Sequence, residues 1–405
     1  MSVLNTKFYI IEAYREVEYR EYDAYKQPTT GLAILMREFT KTNDIWYCMI
    51  TTAQSIKAQS FVKMMGEETH KKIMSGSAYL VIDLPFEPFY DCIDAVYEKL
   101  VNEELIPASQ IIFMSNMYDA CEYNTQAAIR HNSKPINIFY FSALEYMINW
   151  YISNDHPKGY ESKFYPKRLS KDKDYAKSFL SLNRRWRPHR PLLIILLWYK
   201  KLLEKGYISF GPAGDDTKDN WDHIYDGMKC GTWQNRDLFK IIDENEQEIK
   251  KIPYMYLDLP DLHINQAEQT RSTDTYYENS YFSLIPETTF YYRDQMTNSR
   301  FITEKTFKAI SMRHPFVLAT IPKSLEVLKN LGYKTFSPWI DESYDQELDD
   351  NKRLLMIANE VERLANLSKE QLNEFIDNVM PICEHNYNLL RNKSVFIYRN
   401  YLDAL

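Results

Sequence analysis

A chain of 405 residues is too long for one compact core and fits two domains of ordinary size. With 45% hydrophobic and 26% charged residues it has a globular composition. The net charge of −7 argues against a protein that chiefly binds nucleic acid, because neutralising phosphates needs a basic face, although a local basic cleft stays open.

The five cysteines are scattered, odd in number and without CxxC spacing, which predicts reduced thiols and no structural zinc. The apolar run Leu192 to Tyr199 is far short of a membrane span, and "MSVLNTKFYI" lacks the apolar stretch of a signal peptide. A cytoplasmic protein, bacterial or in an infected host, is the expectation. Only 10 glycines occur, and neither GxGxxG nor a Walker-type GxxxxGK[ST] is present. Any phosphate has to be held by side chains and helix ends instead of a glycine loop.

In chain order, "DIWYCMI" (44–50), "AYLVIDL" (78–84), "QIIFMS" (110–115) and "INIFYFS" (136–142) read as buried strands. "FYDCIDAVYEKLVNEEL" (89–105), between two of them, has apolar residues at helical spacing. A polar stretch at about 156–175 is the candidate linker. The alternation restarts with "SFLSLN" (178–183), a helix from about 191 to a stop at Gly206, "YISFG" (207–211), "YFSLI", "PFVLA" and "KTFSP". Residues 212–280 form an acidic, turn-rich insertion. Ser368 and Gln371 make a capping box for a helix, and "KSVFIYRNYLDAL" is the last helix. Strands separated by helices predict two parallel-sheet α/β domains, 1–170 and 171–385, with 386–405 as a C-terminal helix for which packing back on the N-terminal domain is one open arrangement. Ligands of such sheets bind at strand C-termini, so a cleft between the domains is the default site.

Two constellations carry chemistry. In "SLNRRWRPHR", Arg184, Arg185, Arg187, His189 and Arg190 stand before Pro191, which suits the first turn of a helix. Cations at a helix N-terminus are mis-signed by roughly 0.3–1 kcal/mol each, and a bound anion reverses that. In "FITEKTFKAI", Thr303 is a good N-cap and Glu304 suits the dipole, but Lys305 does not. Glu304 on a ribose diol with Lys305 on a diphosphate is a coherent pair there.

Over about 178–320 the chain resembles the α1,3/4-fucosyltransferase family and its bacterial and viral relatives. Asn183 and Arg190 match the family's strand ending in Ser-Asn and its helix-opening Arg, with Leu182 in place of the Ser. "YFSLIPET" matches Phe-x-Phe-Glu-Asn loosely, and "FITEK" with "HPFVL" matches the third element, except that "RHP" replaces Ala-Gly-x-Val-Pro. The resemblance implies a GT-B-type fold of two Rossmann-like domains facing a cleft. It also implies inverting, metal-independent transfer from a nucleotide-sugar donor, GDP-fucose by family default, to a glycan or small-molecule acceptor. It hands the diphosphate to Arg190 and Lys305 and the ribose to Glu304; Asn183, Glu287, Thr303 and Arg187 are further candidate donor-binding residues.

The catalytic base of such a transferase belongs to the N-terminal domain. "VIDLPFEPFYD" offers Glu87 first, in a "FEP" that echoes the family's Glu-Ser-Pro, and Asp83 second. Dispersed histidines predict no metal site and no cofactor beyond the donor, and "DKD" (172–174) reads as solvated acids in the linker. Two alternatives stay open: a phage- or virus-type enzyme that glycosylates DNA bases, and a non-catalytic nucleotide or glycan binder.

Overall fold

The computed structural model describes residues 7–12, 20–21, 45–50, 56, 60–84, 91–152, 169–183, 187–211, 236–255, 257, 274–292 and 299–393. Glu87, Arg184, Arg185, most of the candidate linker, much of 212–280 and the stretch 394–405 lie outside them. Two compact units divide the chain. The first comprises Met1–Met147, Arg293–Phe301 and Lys393–Leu405, and the second Ile148–Tyr292 and Ile302–Asn392.

In the first unit the strands are β1 (Lys7–Glu12), β2 (Arg20–Glu21), β3 (Ile45–Ile50), β4 (Ala78–Leu84), β5 (Ile111–Ser115) and β6 (Asn137–Tyr140). Their order is β2-β1-β3-β4-β5-β6, parallel throughout except for the antiparallel edge strand β2. β5 is buried along its whole length, as a parallel strand covered on both faces should be. The predicted helix at 89–105 forms as Asp91–Ala95 and continues as a wider π-helical stretch, Val96–Glu103. Tyr97 anchors it in the core: its hydroxyl donates to Asn124 Oδ1 at 2.7 Å and accepts from Ile136 N at 3.0 Å. Arg300 belongs to this unit, where it makes an ion pair with Asp119 and lies 5.1 Å from the ring centre of Tyr118.

The second unit holds β7 (Phe179–Asn183), β8 (Gly206–Phe210), β9 (Phe282–Pro286) and β10 (Phe316–Ala319), all parallel, in the order β10-β9-β7-β8. Two parallel-sheet α/β units with a helical C-terminal stretch, Lys369–Asn392, agree with the expected GT-B-type fold class. Leu192–Leu197 are buried all round the helix His189–Tyr199, which identifies it as a central core helix of this unit.

Two expectations need correction. The helix expected to run to Gly206 ends at Tyr199, and Lys201 turns into the left-handed region. Gly206 instead opens β8 opposite Phe179, where a Cβ would lie 2.5 Å from the Phe179 ring. Here a scarce glycine serves close packing. "KTFSP" is not a strand: Lys334 N donates to Asn386 Oδ1 at 2.8 Å and Phe336 N to Glu342 Oε1 at 2.6 Å, so side chains take the backbone donors a ladder needs. Tyr344 also closes the β10 edge, its hydroxyl accepting from Leu318 N at 3.1 Å. The acids of "DKD" are exposed as expected, Asp174 fully so. Lys173 Nζ donates to the Glu278 carbonyl, and Asp174 pairs with Lys369 at 3.1 Å.

His314, part of the "RHP" departure from the family pattern, has a structural use. Its Nε2–H donates to the Ser280 carbonyl at 2.9 Å, and the Ser283 hydroxyl donates to Nδ1 at 2.7 Å, so the ring is held neutral. Burial pushes its pKa down to about 4 from 6.5. Below pH 6.5 the unfolded chain binds a proton that the native ring refuses, so stability falls as the pH drops toward 4. A shift of this size corresponds to something on the order of 3 kcal/mol. Asp345 opposes this between about pH 4 and 6, because burial raises its carboxyl to about 6 and the native state then holds the extra proton. In His314→Gln the rise of melting temperature from pH 4 to 6.5 should be shallower than in the wild type. An unchanged slope in thermal unfolding scans contradicts this account.

Candidate functional site

β7 leads to β8 on one side, whereas β9, on the other side of β7, leads away to β10. The direction of winding therefore reverses between β7 and β9. Open parallel sheets bind ligands outside the strand C-termini at such a switch point. The two strands pair only at Phe179↔Phe282 and Leu180↔Ser283, so the ladder stops before their C-terminal ends. Beyond it stand Asn183 at the end of β7 and Glu287 just after β9.

Two helix starts meet this edge. Arg190 and His189 lie in the first turn of His189–Tyr199 and not ahead of it, a correction to the sequence reading. Arg190 is 3% exposed, and its Nη2 donates to the carbonyls of Pro286 at 3.0 Å and Glu287 at 3.4 Å. Desolvation, reinforced by the nearby charge of Arg187, lowers its pKa to about 10, while Glu287 and Glu304 work in the opposite direction. The guanidinium thus sits at the end of β9 as a charge stripped of water. His189 is equally buried: its Nε2–H donates to the Glu287 carbonyl at 3.1 Å and its ring stacks on Phe290 at 5.0 Å. Burial, with the neighbouring Arg190, holds it neutral, its pKa well below 6.5. Arg353 supports the stack from 4.5 Å over Phe290 and donates through Nε to the Thr320 carbonyl at 3.0 Å.

The second helix start is Glu304–Ser311. Thr303 is its N-cap, extended in backbone, and its hydroxyl accepts from Lys305 N at 3.4 Å. The same hydroxyl donates to Glu287 Oε2 at 2.5 Å and accepts from Lys305 Nζ at 3.0 Å, using the one donor and both lone pairs of a threonine. Lys305 Nζ lies 3.3 Å from Glu304 Oε1 and 3.9 Å from Glu287 Oε2, with the side chain 25% exposed. For the Glu304 carboxyl, desolvation is the largest influence and raises its pKa, but Lys305 together with local hydrogen bonds holds it below the usual range. Its side chain is 40% exposed and open to a ligand.

The second unit therefore brings Asn183, Arg190, Glu287, Thr303, Glu304 and Lys305 to one edge of its sheet. Arg187 is exposed beside the first helix start. Asn183 is 1% exposed, and its Oδ1 is buried without a hydrogen-bond partner among the described residues. Glu287 differs from the sequence reading in kind: its carboxylate is fully buried and turned onto the second helix start. Thr306, which the sequence reading passed over, donates its hydroxyl to Glu287 Oε1 at 2.6 Å. The signal was present in "TEKT", where residues 303 and 306 share a helix face. In the first unit Asp83 lies near the C-terminal end of β4, paired in register with Ile50 and Met114, but its side chain is outside the described set, as is the whole of Glu87. Among the described residues no group of three or more His, Cys, Asp or Glu is placed to hold a metal, and no helix is long and apolar enough to cross a membrane.

No protein-family model matches the chain, and no curated protein matches it. Among solved structures it is similar to trehalose-6-phosphate synthase, OtsA, at 11% identity and a TM-score of 0.38, over 91% of this chain and 75% of that one. A likeness that distant carries no functional argument.

Proposed function

We propose that the second unit binds the nucleoside diphosphate of a nucleotide sugar and that the chain is an inverting, metal-independent glycosyltransferase. The observation that carries this is the meeting of two cations, Arg190 and Lys305, from two helix starts at the switch point of one parallel sheet. A diphosphate there gains two helix N-termini, one guanidinium and one ammonium, and it relieves the desolvation of Arg190. Glu304, part-exposed and anionic, suits the ribose diol. Asn183 and Arg187 complete the donor-binding set, and Thr303, whose hydroxyl is fully used, belongs to it through the placement of Lys305. The cations also stabilise the departing nucleoside diphosphate while a carboxylate takes the acceptor proton. Glu87 is assigned that role first and Asp83 second, the latter at the C-terminal edge of the first sheet. The resemblance in motifs supports GDP-fucose as donor and a glycan or small hydroxyl compound as acceptor.

Thermal-shift titration with GDP, UDP, ADP and CMP, and with their sugars, tests the donor reading, since selective binding raises the melting temperature by mass action. Arg190→Ala and Lys305→Ala should each weaken the preferred nucleotide roughly tenfold or more, the scale of a lost charge-assisted contact. Unchanged affinity in both folded variants rejects the assignment. Glu304→Gln should leave stability within about 1 kcal/mol, because only its dipole contribution and a part-exposed pair with Lys305 are lost, yet reduce nucleotide affinity. Full affinity and turnover in that variant would return Glu304 to a helix-start role alone. Transfer should persist in excess EDTA; loss of activity that Mg²⁺ or Mn²⁺ restores refutes metal independence.

A further inference from the structure

A buried carboxylate is tolerated only when its lone pairs are satisfied and its charge is balanced. Glu287 meets both conditions chiefly through residues 303–306. Oε1 accepts from Thr303 N at 3.0 Å and Thr306 Oγ1 at 2.6 Å, and Oε2 from Thr303 Oγ1 at 2.5 Å and Thr288 N at 3.3 Å. The balancing cation nearby is Lys305, 3.9 Å from Oε2. The backbone carbonyl of Glu287 meanwhile accepts from His189 and Arg190 of the other helix start. One residue therefore registers both cation-bearing helices on the end of β9.

We infer that Glu287 is a positioning residue: it fixes the Thr303–Thr306 turn and thereby the placement of Lys305 Nζ for a nucleoside diphosphate. This rests on the donor reading above. Lys305 reaches Glu287 mainly through Thr303 Oγ1, which accepts from the lysine and donates to the carboxylate. A glutamine at 287 keeps the shape but offers one acceptor atom in place of two, and its amide donors face threonine donors. The hydroxyl of Thr303 must then turn away or lose its partner, and Lys305 loses its anchor. Thr306 belongs to the same device although its side chain is buried away from any ligand.

The test is a double-mutant cycle read by titrating GDP, UDP and ADP into wild type, Glu287→Gln, Lys305→Ala and the double variant, with circular dichroism as the check on folding. Each single change should weaken the best-bound nucleotide roughly tenfold, and the double should be within about twofold of the weaker single, because both remove one shared contact. A mere stabilising role would not produce that non-additivity. Should Glu287→Gln not fold, Thr306→Val removes one donor at nearly constant shape and should weaken binding severalfold in the wild-type background but not in Lys305→Ala. Losses that multiply, or full affinity in both the Glu287 and Thr306 variants, overturn the positioning role while leaving the donor reading intact. If the wild-type protein binds none of the three nucleotides, the donor reading fails and this inference falls with it.

Discussion

The second unit depends on one carboxylate kept where carboxylates are expensive. An ion of this size loses several kcal/mol on leaving water, and the loss is offset only by good hydrogen bonds and a nearby opposite charge. Glu287 has four donors within hydrogen-bond distance and Lys305 close by. Because those donors all come from residues 288 to 306, the desolvation cost is covered only when β9 and the helix Glu304–Ser311 are in one particular register. The arrangement converts an unfavourable burial into a constraint on geometry. The Lys305 ammonium, mis-signed for a helix N-terminus, is made acceptable by the same anion.

The parting of β7 and β9 has a related origin. Arg190 Nη2 donates to the carbonyls of both Pro286 and Glu287, and Asn183 N donates to Ser209 Oγ at 2.9 Å. Both strand ends thus direct hydrogen bonds outside their shared ladder. Asn183 Nδ2 turns back to Ser181 Oγ at 2.9 Å, leaving Oδ1 buried without a partner among the described residues.

Much of this was legible in the chain. β4 matches "AYLVIDL" residue for residue, and β7 and β10 begin one residue inside their apolar runs, because β-branched and aromatic residues bounded by polar turns leave little choice. The capping box at Ser368 forms as its side chains dictate: Ser368 N donates to Gln371 Oε1 at 2.9 Å, and Gln371 N to Ser368 Oγ at 3.3 Å. The N-cap at Thr303 was readable for the same local reason. What local pattern could not carry were choices made by distant partners. "KTFSP" has a strand's composition, but Asn386 and Glu342 take its donors. His314 looked like a departure from a small-residue motif, and only Ser280 and Ser283 explain it. Glu287 looked like a ligand-facing acid at a strand end, since nothing in "IPETT" announces threonines sixteen and nineteen positions later.

Scarcity of glycine ties these points together. A glycine loop binds phosphate with backbone N–H groups that approach closely because no Cβ intervenes. In the donor reading proposed above, the chain uses side-chain cations on rigid helix starts instead, and such cations have to be held apart from each other and from their own helix dipoles before any anion arrives. Burial and, after it, the charge of Arg187 lower the pKa of Arg190, so the cost of gathering charge away from water is visible in the folded protein. A counter-anion is therefore part of the architecture, and it has to be one that a ligand cannot displace. A fully buried glutamate with four protein donors meets that requirement, whereas the more exposed Glu304 does not. The division of labour between the two acids follows: one balances the site from behind, and the other is free to face what binds.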